Sequence, residues 1–127
     1  MWDLVKEDDF TKKAKKLVRK HRTEVRNCAD NLAAYFSDLQ NGLLPQQIVR
    51  GYVHTKYPKG IKSLDQKGPG VTNKELRLYI YPDEENEDLI AITIGDKDSQ
   101  DKDVENCEDF VDELIKEQET SKETGYE

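Results

Sequence analysis

Between Asn73 and Gln100 the chain reads NKELRLYIYPDEENEDLIAITIGDKDSQ, two strand-like runs divided by an acidic turn. Leu76, Leu78 and Ile80 alternate with Glu75, Arg77, Tyr79 and Tyr81, the period-two pattern of a strand with one face on a core. The second run, Asp88–Ile94, is almost continuously apolar, as expected of a strand covered on both faces. A paired strand–turn–strand needs further layers to shield it, so this stretch limits the chain to folds built around a sheet. It also places a guanidinium and two phenols in one outward row beside a Gly95-Asp96-Lys97 exit, a surface suited to an anion such as RNA phosphate.

The rest of the chain supplies the layers. Trp2–Lys6 alternates loosely and reads as a short first strand. Asp8 or Asp9 is an N-cap candidate for a helix whose Phe10, Ala14, Leu17 and Val18 share one face. A break at His21–Thr23 begins a second helix, with Val25, Cys28, Leu32, Phe36 and Leu39 at helical spacing and Asn41-Gly42 as its stop. Short strands are expected around Arg50–His54 and Gly60–Leu64, and Gly68-Pro69-Gly70 is loop. Val104, Cys107, Val111 and Leu114 mark a closing amphipathic helix. The fold class expected is α+β: a small antiparallel-rich sheet packed against an N-terminal helical hairpin, with a C-terminal helix. One domain spans residues 1–116, and residues 117–127 read as a polar acidic tail.

Charge is divided along the chain. Met1–Tyr81 carries 16 Lys and Arg against 9 Asp and Glu, whereas Pro82–Glu127 carries 4 against 18. The division serves either a solvated acidic helix that aids solubility or a basic surface for nucleic acid or an acidic partner. No run approaches the ~20 apolar residues of a membrane span, and the opening MWDLVKEDDF lacks the plan of a signal peptide, so a cytoplasmic protein is expected. Cys28 and Cys107 fall on apolar helical stripes and read as buried thiols. Asp96, Asp98, Asp101 and Asp103 lack the glycine and closing glutamate of a calcium loop and read as helix caps. No metal site and no cofactor is expected.

The first strand, the basic hairpin, ELRLYIY, the acidic turn, LIAITIGDK and the last helix together resemble the RelE/ParE toxin superfamily of type II toxin–antitoxin systems, in particular its HigB-like members. The resemblance covers about Trp2 to Ile115. It implies a small cytoplasmic toxin that cleaves messenger RNA without a metal, often on the ribosome, and is held inactive by a cognate antitoxin. It places Arg77 at the position of an arginine on the strand before the turn and Lys97 at a basic position after the next strand. It also puts Lys59, Lys62 and His54 in a segment where relatives carry further basic or imidazole side chains. Where several relatives have Tyr or His near the chain end, this sequence offers Gln100, Asp101 and Asp103. The alternative is therefore a non-catalytic protein of the same fold that binds an antitoxin or another protein target.

Each candidate has a functional and a structural role to be separated. RNA cleavage needs an activated 2′-hydroxyl, a neutralised phosphorane and a protonated leaving oxygen. Arg77 suits the phosphorane through its bidentate fork, or else pairs with Glu75. Lys97 and Lys62 would add charge or move protons, and His54 is the general-base candidate by residue type. Tyr79, Tyr81 and Lys59 would hold RNA by stacking and charge, although tyrosine is also an ordinary strand residue.

Overall fold

The computed structural model describes residues 1–70 and 74–124, side chains of 123 and 124 excepted. The elements follow in the order β1 (Asp3–Lys6), α1 (Asp8–Val18), α2 (Arg22–Gln40), β2 (Val53–His54), β3 (Lys62–Leu64), β4 (Leu76–Asp83), β5 (Asp88–Asp96) and α3 (Gln100–Thr124). Five strands form one sheet in the order β1-β5-β4-β3-β2. The first strand runs parallel to β5, and the remaining neighbours are antiparallel. This is the α+β arrangement expected, with the hairpin of α1 and α2 leading and one helix closing.

Asp8 and Asp9 sit inside the first turn of α1 and Lys15 and Lys16 in its last, each charge complementing the helix dipole. Neither aspartate is the cap: Glu7 holds that position without a side-chain bond. The hairpin buries Phe10, Cys28, Leu32, Tyr35 and Leu39 against Leu64, Leu76, Leu78, Ile80, Leu89, Ala91 and Ile94 of the sheet. Gly42, at φ 97°, takes the left-handed conformation that ends α2.

The opposite face of the sheet is also covered. Cys107 and Val111 of α3 pack on Ile61, Tyr79, Ile90 and Ile92, which makes the molecule three layers thick. Leu89–Gly95 is therefore buried throughout, as its apolar run predicts. Ladder pairing steps from Tyr79↔Thr93 to Ile80↔Ala91, leaving Ile92 as a bulge residue.

The last helix extends beyond Lys116, the point at which its apolar stripe ends, and reaches Thr124. Polar contacts support this extension: Gln118 Nε2 donates to buried Asp83 Oδ2 at 2.9 Å, and Lys122 meets Glu85 at 2.7 Å. Residues 125–127 of the expected tail lie outside the described residues, as does Asn73.

Candidate active site

The loop that follows β3 is held to α2 by side-chain amides. Asn31 Nδ2 donates to the carbonyls of Asp65 and Lys67, and Asn27 Nδ2 donates to that of Pro69. A Cβ at Gly68 would collide with the Asn27 amide, so glycine is what lets the loop lie this close. These contacts fix Asp65 at the end of β3, where antiparallel pairing of His54 with Ser63 brings the histidine alongside.

His54 Nε2 lies 2.7 Å from Asp65 Oδ2. A carboxylate only accepts, so Nε2 carries the proton and Nδ1 is the nitrogen left to accept one. Asp65 is 3% exposed and has two further ties: the Lys67 backbone N–H donates to Oδ1, and the Lys67 ammonium sits 3.2 Å from Oδ2. Burial alone pushes the Asp65 carboxyl up. The His54 hydrogen bond and the two Lys67 contacts outweigh it and hold the group below the ordinary carboxylate range.

A cleft of about 380 Å³ opens at this histidine, lined by residues 53–57 together with Arg77 and Gln100. Arg77 comes from the start of β4, opposite Gly95, and its Nη2 donates to Glu75 at 3.0 Å. Tyr57 shares a 2.8 Å hydrogen bond with Ser63 Oγ and packs edge-on against Tyr79, with ring centroids 5.8 Å apart. The lining thus includes an oriented imidazole, a guanidinium and an exposed lysine, Lys56.

The residues singled out from the sequence divide among several places. His54 and Arg77 share the cleft. Lys59, Lys62 and Tyr81 line a second one, of about 300 Å³, bordered by Asp83, Glu84 and Glu85, acids that oppose a phosphate. Lys59 is tied to α3 through Asp112 at 2.7 Å and Glu108 at 3.8 Å. Lys97 is an exposed residue at the start of a short 3-10 turn and lines neither cleft. Tyr79 is fully buried beneath α3, where its ring has no face for a base. The expected outward Arg–Tyr–Tyr row is therefore largely interior, because the stripe of the last helix lands on it.

Asp65, Lys56 and Tyr57 were not singled out from the sequence. The signal for Asp65 was its distance from His54 across two short antiparallel strands, which only the register makes legible. The aspartates after β5 do cap: Asp96 Oδ1 accepts from the N–H groups of Asp98 and Ser99. Among the described residues no helix is long and apolar enough to cross a membrane. No protein-family model matches the chain, and comparisons with curated proteins and with solved structures gave no match.

Proposed function

We propose that this protein is a metal-independent endoribonuclease of the toxin type, acting on messenger RNA at the His54–Arg77 cleft and held inactive by an antitoxin partner. The observation that carries the reading is the convergence of Arg77 with an imidazole whose tautomer is set by buried Asp65. In this mechanism His54 Nδ1 takes the proton of the ribose 2′-hydroxyl as the 2′-oxygen attacks phosphorus. Asp65 then stabilises the imidazolium that forms. Arg77 leaves Glu75 and neutralises the phosphorane oxygens. The P–O5′ bond breaks, the 5′-oxygen takes a proton from water or Lys56, and a 2′,3′-cyclic phosphate remains. Tyr57 and Gln100 border the space that an adjacent base would occupy.

The test is cleavage of end-labelled RNA by purified protein in the presence of a chelator. Wild type is expected to yield cyclic-phosphate ends, with His54→Ala and Arg77→Ala slower by about 100-fold or more. Equal cleavage by wild type and both variants would mark a contaminant and end the proposal. The existing Arg77–Glu75 pair favours a second reading, a non-catalytic protein in which that pair faces a protein target. A stable protein complex without RNA cleavage would select it.

A further inference from the structure

Lys62 differs from every comparable cation in the molecule. Among the described residues, Lys13, Lys74 and Arg77 are the other half-buried cations, and each holds a carboxylate. Asp103 lies 3.1 Å from Lys13, Asp96 3.2 Å from Lys74, and Glu75 3.0 Å from Arg77. Lys62 is buried to a similar degree and has neither a salt bridge nor a hydrogen bond from its ammonium. Burial lowers its pKa, and Glu84 across the β4–β5 turn opposes this only in part. A desolvated, unpaired ammonium is unfavourable, and a bound anion relieves it.

The space beside it has a definite character. Besides the acid-bordered cleft, Lys62 lines a cleft of about 340 Å³ together with Pro45, Ile48, Val49 and Val53, and no acidic residue lines this one. Arg50 also borders this cleft, but Asp38 engages its guanidinium through two bonds of 3.0 Å. Lys62 is thus the cation left for a ligand. Val49, one of the lining residues, is 85% exposed, an apolar side chain standing in water.

We propose that this cleft binds a carboxylate carried on a short branched apolar group, the carboxylate pairing with Lys62 and the apolar part lying on Pro45, Ile48, Val49 and Val53. Its size matches the lower end of ligand sites, near 300 Å³, and so a small acid or a single terminal residue. Such a carboxylate occurs in a free branched-chain acid or at the C-terminus of a peptide ending in leucine. The cleft adjoins the His54–Arg77 cleft, sharing Val53 and Thr55 with it, but it includes neither His54 nor Arg77, and the proposal does not depend on the nuclease reading.

Titration of isotopically labelled protein, followed by backbone amide shifts of Ile48, Val49 and Lys62, tests this with four probes. They are 4-methylpentanoate, its amide, and an acetylated peptide ending in leucine as the free acid or as the amide. The proposal expects at least one acid to bind and its amide to bind at least about tenfold more weakly. Which acid binds identifies the source. Lys62→Met is expected to abolish binding, and Val49→Glu, an exposed change that leaves the core intact, to weaken it about tenfold or more by repelling the carboxylate. Equal binding of acid and amide, undiminished acid binding by either folded variant, or no shift with any probe at millimolar concentration would overturn it.

Discussion

Lys13 of α1 and Asp103 of α3 meet at 3.1 Å although 90 residues separate them, and their pair ties the two helices that cover opposite faces of the sheet. Asp103 is 1% exposed and also accepts from Ser99 Oγ at 2.7 Å. Burial would lower the Lys13 pKa, yet the bonds to Asp103 and Asp9 raise it. Gly95 lies directly beneath, where any Cβ would enter the space of the Asp103 carboxylate and the Ser99 hydroxyl.

Gly95→Ala therefore has to displace a carboxylate held from two sides. A loss of about 2–3 kcal/mol is expected, the range of overpacked interiors. Urea unfolding measures it. A loss below about 0.5 kcal/mol would mean that the carboxylate moves aside without cost.

Asp65 titrates below the ordinary carboxylate range in the folded state, so its stabilisation is fully present above the unfolded value of about 3.9. It is lost as pH falls through the lower, folded value. Asp65→Asn is expected to be less stable at neutral pH and to show a flatter decline in acid. Parallel urea midpoints from about pH 6 to pH 2 check the sign, and identical slopes for the two proteins would remove Asp65 from the acid transition.

Asp88 behaves in the opposite sense. Burial and the neighbouring Asp83 and Asp3 push its carboxyl up, so the ionised form opposes folding above that pKa and the penalty fades below the unfolded value. Asp88→Asn should stabilise at neutral pH by about 0.5 kcal/mol, less in high salt because the repulsion is screened. Thermal melts at two salt concentrations measure the gain.

Both cysteines are buried, and burial pushes their thiols up to about 12. Native protein is expected to resist a disulfide reagent at neutral pH, while unfolded protein reacts with two equivalents. Rapid labelling under native conditions would contradict the burial of α2 and α3 on the sheet.

Gln118→Ala removes one of the donors to Asp83, a carboxylate 2% exposed that also accepts from the Glu85 N–H and the Asn86 amide. The expected cost is about 1 kcal/mol, with faster amide exchange confined to the part of α3 beyond Lys116. Uniform change along the helix would show that Gln118 has no local role.

The hairpin helices and β4–β5 were legible because their apolar spacing is long and regular. The extension of α3 was not, since Gln118 and Lys122 bind a turn rather than continue a stripe. Tyr79 shows the limit of period two, which separates the two faces of a strand without revealing whether a later helix covers the second. Arg77 does pair with Glu75, the structural role weighed for it, and still borders the cleft. The His54–Asp65 contact depends on strands of two and three residues, too short for any pattern to fix their register.

The bulge at Ile92 carries a final consequence. Because Tyr79↔Thr93 is followed by Ile80↔Ala91, β5 holds one residue more than its ladder to β4 requires. Excising Ile92 would close the ladder while keeping Leu89 and Ile94 toward the hairpin and Gly95 beneath Asp103. The strand would lose one buried side chain and some local twist, but not its phase. A further insertion between Thr93 and Gly95 has no such refuge and would turn the exit of β5 over, carrying the start of α3 with it. Tolerance to length change in this strand is thus asymmetric, permissive to loss at a single position and closed to gain.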